Sequence, residues 1–122
     1  MTRDDFNAHC AALTATTNVI QWGNASVWKV GGKIFAICSV WGEGNHAKFS
    51  FKCSDMSYSL LTQQDGIVPA PYLARAKWVQ VENTKAMHED DLKAYINAAH
   101  RLVARKLTRK LQTQLGLAIP QS

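Results

Sequence analysis

Apolar residues near the start of the chain recur at helical spacing. Phe6 and Cys10 lie four positions apart, as one buried face of a helix requires. Thr2 and Asp5 have the spacing of a capping box, in which a hydroxyl and a carboxylate satisfy free N–H groups at a helix start. The pattern therefore predicts a first helix over residues 3–15.

A longer helical stripe lies near the end of the chain. Its apolar positions are Leu92, Tyr95, Ile96, Ala99, Val103 and Leu107. Carboxylates occupy residues 89–91 at its start, and lysines and arginines are frequent over residues 105–110 at its end, an arrangement that the helix dipole favours. These signals predict one long helix over residues 89–110.

Between the two helices the pattern alternates with the period of a β-strand. In residues 48–53, apolar and polar positions alternate: Phe49, Phe51 and Cys53 against Lys48, Ser50 and Lys52. Such alternation predicts a strand with one buried face and one solvent-facing, cationic face. Upstream, Gly31 and Gly32 separate two runs rich in aromatic and β-branched residues and predict a tight hairpin. A longer loop is predicted at residues 42–45.

The remaining segments complete an α+β order. Ser54 is placed to cap a short helix, Pro69 and Pro71 interrupt the pattern, and residues 78–82 have the composition of another strand. We therefore predict an α+β fold, a two-layer α-β sandwich. In it an antiparallel sheet is covered on one face by the N- and C-terminal helices, and the other face is left exposed.

Composition agrees with one globular domain. The chain has 122 residues, of which 47% are hydrophobic, enough to form a core. We predict a single domain over residues 1–122, with its core at about 3–111 and a C-terminal tail at 112–122. The sequence contains neither a run of about 18 apolar residues nor the apolar centre of a signal peptide, so we expect a cytoplasmic protein without membrane association.

The residues that commonly carry chemistry show no pattern of a reactive site. Cys10, Cys38 and Cys53 include no Cys-x-x-Cys pair and are expected to be small buried hydrophobes in a reducing compartment. The four histidines have no metal-ligand spacing. We therefore expect no catalytic residue, no metal and no cofactor, and a binding protein rather than an enzyme.

The charge balance favours an anionic partner. Lys and Arg number 14 against 9 Asp and Glu, which gives a net charge of +5 and a pI near 9.3. The predicted phosphate contacts of a bound DNA are Lys29, Lys33, Lys48, Lys52, Arg75 and Lys77. The alternative is that these lysines only keep an exposed sheet face soluble.

Tryptophans lie close to the predicted phosphate contacts. Trp28 and Trp78 are the candidates for stacking on unpaired bases, and Trp41 lies near them. If the same aromatic sheet face is exposed, it also fits an alternative function, a protein-interaction or small-ligand-binding module.

Arginines recur every four residues along one side of the last predicted helix. They are Arg101, Arg105 and Arg109. Cations near a helix C-terminus stabilise it in their own right, which is the preferred explanation. These arginines are expected on the helical layer, away from the lysines of the sheet.

Several segments together resemble a known family. They are, in order, Val27–Ala36, Phe49–Cys53, Pro69–Leu73, Trp78–Val81 and Arg101–Leu107. This series resembles the MmcQ/YjbR family of proposed DNA-binding proteins over about residues 22–111. One departure is visible, because Ala99-His100 stands where relatives have a Ser-Tyr pair.

The resemblance implies a frataxin/CyaY-like fold and a DNA-binding role through a winged arrangement of strands and loops. Iron binding, which the frataxin likeness brings to mind, is not expected. Hard cations need clustered carboxylates, and the first helix offers only Asp4 and Asp5.

Overall fold

The structure is a computed structural model that describes residues 1–41 and 44–117. Its elements are α1 (Arg3–Ala11), β1 (Thr16–Gln21), β2 (Ala25–Val30), β3 (Lys33–Ser39), β4 (Lys48–Lys52), α2 (Asp55–Leu61), β5 (Ile67–Pro69), a 3-10 turn (Ala74–Ala76), β6 (Trp78–Val81), α3 (Glu89–Ala104) and α4 (Arg109–Gln114). The strands form one six-stranded antiparallel sheet in the order β1-β2-β3-β4-β6-β5. Gly42 and Glu43 of the predicted loop, and residues 118–122 of the predicted tail, lie outside the described residues.

Helices α1 and α3 pack on one face of this sheet, as the sequence predicts. Phe49 and Phe51 of β4 join the main core together with their cross-strand partners on β6, Val81 and Val79. Phe6 of α1 contacts Phe49 with a ring-centroid distance of 5.4 Å. The α+β sandwich is confirmed.

The capping box at the start of α1 is also confirmed. The Thr2 hydroxyl accepts a hydrogen bond from the Asp5 N–H at 3.1 Å, and the Asp5 carboxylate accepts one from the Thr2 N–H at 3.0 Å. The helix ends at Ala11, earlier than predicted. Thr16 begins β1, and its hydroxyl donates to the carbonyl of Cys10 at 2.9 Å, which satisfies an acceptor at the helix end.

The predicted Gly-Gly hairpin joins β2 to β3. Gly31 and Gly32 have φ angles of +58° and +81°, which glycine adopts without the steric cost that other residues meet. A Cβ on Gly31 would lie only 2.5 Å from a methyl carbon of Leu107. The hairpin therefore packs directly against the segment that follows α3.

The last predicted helix is divided in two. α3 ends at Ala104, and the Thr108 hydroxyl caps α4 by accepting from the Leu111 N–H at 3.1 Å. The buried Gln112 amide donates to the carbonyl oxygens of Ala104 at 3.0 Å and Leu107 at 3.1 Å, which satisfies backbone acceptors left free by the break. The core boundary predicted at residue 111 thus falls inside α4.

The second face of the sheet is covered as well, so the prediction of an exposed face is wrong. Val27, Ile37 and Trp78 form a small second core there, and Trp41 and Leu73 pack against it. The physical reason is that the segment between β5 and β6 lies over this face instead of forming a tight hairpin. The central strands are therefore buried on both sides.

A row of polar side chains is buried on this second face. Ser39 pairs with Lys48, and Ser50, two positions along β4, pairs with Gln80. Among the described residues, no hydrogen-bond partner lies within reach of the Ser39 and Ser50 hydroxyls, the Lys48 ammonium or the Gln80 amide nitrogen. Each of these groups carries a donor, so the row presents several buried donors without an acceptor.

A membrane span needs a helix of sufficient length and apolarity. Within residues 1–41 and 44–117, no helix is both long and apolar enough to span a bilayer.

Candidate nucleic-acid interface

Several elements meet at one end of the sheet, which we call the basic end. The β2–β3 hairpin lies here, because Gly31 packs against Leu107 after α3. The last residue of β4, Lys52, pairs with the first residue of β6, Trp78, so both of these strand ends lie here too. The end of α3 and the start of α4 complete the basic end.

Most of the chain's 14 lysines and arginines gather at the basic end. They are Lys29, Lys33, Lys52, Arg75, Lys77, Arg101, Arg105, Lys106, Arg109 and Lys110. Asp55 is the carboxylate that lies near Lys52. Carboxylates instead gather at the opposite end, where α1 and α3 begin: Asp4, Asp5, Glu89, Asp90 and Asp91. The fold thus separates positive from negative charge along the sheet.

A cavity at the basic end brings cations from two layers together. Lys52 of β4 lines it with Arg101 and Arg105 of the helical layer, around a volume of about 210 Å³. Arg101 and Arg105 are four residues apart and so lie on one side of the helix. Ser54 and Ser57 also line the cavity. The arrangement can surround an anionic oxygen cluster with ammonium, guanidinium and hydroxyl donors.

The expectation that the arginines lie apart from the sheet lysines is therefore wrong for Arg101, Arg105 and Lys52. Lys52 ends its strand, so its side chain is beside the C-terminal part of α3 rather than in the middle of the sheet. The helical layer and the sheet contribute to the same cavity at this point.

Neighbouring charges make Lys52 sensitive to an anion. Partial burial lowers the pKa of its ammonium group, and the nearby cations Lys106 and Lys77 lower it further. Lys52 also donates a hydrogen bond to the carbonyl of Ala76. The Lys77 ammonium lies 4.9 Å from the centroid of the Tyr58 ring, in a cation–π contact. A bound anion would reduce the repulsion between Lys52 and the neighbouring cations Lys106 and Lys77.

Five of the six predicted phosphate contacts lie at the basic end with some solvent exposure. Lys33 and Arg75 are exposed at the basic end, and Lys29, Lys52 and Lys77 are partly exposed there.

Lys48 is different, and its predicted solvent-facing position is wrong. It lies at the start of β4, towards the other end of the sheet, and is only 1% exposed. The covered second face removes it from any phosphate.

The two tryptophans predicted to stack on bases are buried. Trp28 is 7% exposed, and its indole N–H donates to the Asn7 side-chain oxygen at 3.0 Å. Trp78 is 4% exposed and belongs to the second core. Neither ring offers a face to a base, so this prediction is wrong for both.

Other aromatic residues form an open groove on the second face. Trp22, Trp41, Pro71, Tyr72 and Leu73 line it around a volume of about 750 Å³. Trp41 lies between the other two rings, with its centroid 6.1 Å from Trp22 and 6.3 Å from Tyr72. Its indole N–H donates to the Trp22 carbonyl at 3.2 Å, which fixes the ring. We call this feature the aromatic groove.

Comparison with models of known protein families finds a match for this chain. The model of the YjbR family matches residues 11–102, which is most of the chain. This chain belongs to the YjbR family. No curated protein matches the sequence. The resemblance noted in the sequence is thereby confirmed.

Solved structures similar to this YjbR-family chain share its fold. The Deinococcus radiodurans protein DR2400, whose domain is described as DUF419, is 22% identical, with a TM-score of 0.82 over 99% of this chain and 91% of that one. A protein from Pseudomonas syringae is 16% identical, with a TM-score of 0.70 over 84% of this chain and 99% of that one. At these identities the likeness establishes the fold alone.

His100 connects two parts of the fold. The ring is buried, its Nε2 lies 2.8 Å from the Thr14 carbonyl oxygen, and it meets the Phe35 ring edge-on at 5.3 Å. Because a carbonyl only accepts, Nε2 donates this hydrogen bond. His100 therefore ties α3 to the segment between α1 and β1.

The thiols of this YjbR-family chain are shielded. Burial raises the pKa of Cys10 to about 12 and that of Cys38 and Cys53 to about 11. A neutral thiol is a weak nucleophile and a poor metal ligand. Among the described residues, no group of three or more His, Cys, Asp or Glu side chains is placed to hold a metal ion.

Sequence reasoning missed several residues of the site. Lys106 was assigned to helix dipole compensation, and so was Arg105, although its spacing from Arg101 was visible. Trp22 and Tyr72 carried no periodic signal, because both lie in turns. Their left-handed backbone conformations bring Trp22 and Tyr72 to the surface, and the hydrophobic pattern of the sequence does not predict such conformations.

Proposed function

We propose that this protein binds DNA through its backbone phosphates, with the basic end as the contact surface. The observation that carries the proposal is the convergence of Lys52, Arg101 and Arg105 on one cavity, within a larger group of cations from several elements. We propose a cytoplasmic, non-enzymatic role that needs no metal or cofactor.

The contacts follow from the chemistry of the side chains. Arginine presents a planar fork of donors that matches a phosphate, so Arg101 and Arg105 are the proposed clamp. Lys52 adds a charge from the sheet side of the same cavity. Lys33 and Arg75, both exposed, extend the surface along the backbone. Contacts to phosphates carry no base information, so little sequence preference is expected.

The first prediction is a steep salt dependence that the arginines carry. In Arg101→Glu/Arg105→Glu, DNA affinity should fall strongly, and the slope of log affinity against log salt should decrease by about 0.9 for each phosphate contact removed. Fluorescence anisotropy with a labelled duplex over a salt series measures both quantities.

The matched control has the same change in net charge at the opposite end. Lys85→Glu/Lys93→Glu should alter affinity far less, because these lysines lie near the acidic starts of α1 and α3. Equal losses in the two double variants would reduce the effect to overall charge. Affinity that does not change with salt would contradict phosphate contact altogether.

The alternative function is a protein-interaction or small-ligand module. The observation in its favour is the aromatic groove, whose volume of about 750 Å³ is that of an ordinary ligand site. Its aromatic residues are Trp22, Trp41 and Tyr72 rather than the buried pair Trp28 and Trp78. Absence of DNA binding at low salt, together with capture of a defined partner that Tyr72→Ala abolishes, would favour this alternative.

A further inference from the structure

We infer that the nucleic acid is single-stranded and that its unpaired bases stack in the aromatic groove. This inference rests on the proposed phosphate contacts at the basic end. It assigns Trp22, Trp41 and Tyr72 to the bases.

Two aromatic residues of the groove are exposed and have unfavourable backbone conformations. Tyr72 is 95% exposed and Trp22 is 51% exposed. Both have left-handed backbone conformations, with φ angles of +68° and +52°. Bulky side chains rarely adopt such angles, because they are sterically unfavourable. The fold thus holds two aromatic side chains towards solvent in conformations that local energetics disfavour.

The rings are arranged so that their faces stay open. Trp22 and Trp41 are inclined at 47°, and Trp41 and Tyr72 meet edge to face at 84°. Rings stacked face to face would cover each other, whereas inclined rings leave flat surfaces for a planar guest. Every nucleobase has a flat π-face, so such a surface accepts bases without regard to sequence.

The groove is continuous with the basic end along the chain. Leu73 lines the groove, and Arg75 follows it by two residues, a separation of at most about 7 Å. Lys77 is the next cation in the sequence. The carbonyl of Ala76, between Arg75 and Lys77, accepts a hydrogen bond from Lys52. One short segment therefore runs from Tyr72 to the phosphate-binding cations, whereas Trp22 in the β1–β2 turn and Trp41 after β3 extend the groove towards the opposite end of the sheet. A single strand has this same pairing of bases with a charged backbone.

Charge argues for this occupant over an apolar one. A hydrophobic ligand would use the groove but leave the adjacent Arg75 and Lys77 unused. A duplex would use the cations, but its stacked bases could not reach Trp22 or Tyr72. A single strand satisfies both sets of residues.

The test compares oligothymidine with a duplex of the same length. Wild-type protein should bind the single strand more tightly, and Tyr72→Ala should weaken that binding by about tenfold, since it removes one ring on which a base stacks. Tyr72→Phe, which keeps the ring, should retain affinity. Leu60→Ala, which trims an exposed apolar side chain on α2, is the matched control and should have no effect.

A second readout follows the tryptophans directly. Oligothymidine should quench the fluorescence of Trp22 and Trp41 in the groove, and Trp22→Phe should reduce the quenched fraction. Trp28 and Trp78 are buried and should be unaffected. The duplex should leave the fluorescence nearly unchanged.

The outcomes separate this inference from the proposed function. Equal binding of duplex and single strand, with Tyr72→Ala silent, would overturn the stacking inference and leave phosphate binding in place. Loss of affinity for both nucleic acids in Arg101→Glu/Arg105→Glu, with Tyr72→Ala weakening only the single strand, is the expected result. No binding of either nucleic acid at low salt would overturn both.

Discussion

At the scale of single residues, two lysines on the same face of one strand have opposite environments. Lys48 begins β4 and is buried without a partner among the described residues, whereas Lys52 ends the strand and is at the edge of the sheet. A lysine can keep its ammonium in solvent where a cavity opens beside it, as at Lys52, whereas the Lys48 side chain is enclosed. The alternating pattern made these two positions equivalent, and the covering of the second face made them different.

Lys48 gives a prediction about stability. Because a buried charge without a partner destabilises the folded state, Lys48→Met should raise the free energy of unfolding by about 1–3 kcal/mol. Urea denaturation at neutral pH measures the change. Lys33→Met, at an exposed position, should stay within about 0.5 kcal/mol of the wild type. A loss of stability in Lys48→Met would mean that the folded protein supplies a counter-charge.

At the scale of elements, the β2–β3 hairpin and the segment after α3 hold the basic end together. Gly31 lies against Leu107, and the break between α3 and α4 is what brings Leu107 to this place. A continuous helix over residues 89–110 would have carried Leu107 onward along its axis. The break therefore serves the packing of the hairpin, and with it the position of the nearby cations.

Substitutions at Gly31 and Gly32 distinguish two contributions to stability, the contact with Leu107 and the positive φ angle of the backbone. Both have positive φ angles, but a Cβ on Gly31 would collide with Leu107, whereas one on Gly32 meets open space. Gly32→Ala should cost about 1 kcal/mol from conformation alone. Gly31→Ala should cost about 1–3 kcal/mol more through overpacking.

Thermal or urea unfolding of the two variants measures the difference. In Gly31→Ala/Leu107→Ala the loss should be smaller than the sum of the two single losses, because Leu107→Ala removes the colliding methyl groups. Equal costs at the two glycines would contradict a tight contact between the hairpin and Leu107.

At the scale of the whole molecule, the fold gathers cations at one end and carboxylates at the other. The lowered pKa of Lys52, caused by burial and by Lys106 and Lys77, is a sign of this concentration of charge. A lysine with a lowered folded-state pKa destabilises the protein below that pKa, and the cost disappears as pH rises towards the ordinary value. A bound anion should relieve the same cost at neutral pH.

Inorganic phosphate should therefore stabilise the protein more than chloride at equal ionic strength. At ten times its Kd, a ligand of the folded state contributes about 1.4 kcal/mol, which corresponds to an increase in Tm of about 3–6 °C. Arg101→Gln/Arg105→Gln should abolish the difference between the two salts, and Lys85→Gln/Lys93→Gln should preserve it. An equal shift with phosphate and chloride would show that no site at the basic end binds phosphate.

The local features of this protein can be predicted from its sequence. The Thr2–Asp5 capping box, the Gly31–Gly32 hairpin and the Ser54 cap are set by interactions within a few residues, so their spacing is visible in the chain. The apolar stripes on the helices and on β4 likewise predicted the α+β sandwich, because burial of one face imposes a period on the sequence.

Which of these residues can contact a ligand depends on the three-dimensional fold. It buried Lys48, Trp28 and Trp78, and it placed Lys52 with Arg101 and Arg105, which are about 50 positions away in the sequence. Exposure depends on which distant segment covers a residue, and convergence depends on how strands and helices are ordered in space. Neither property leaves a period or a spacing in the sequence.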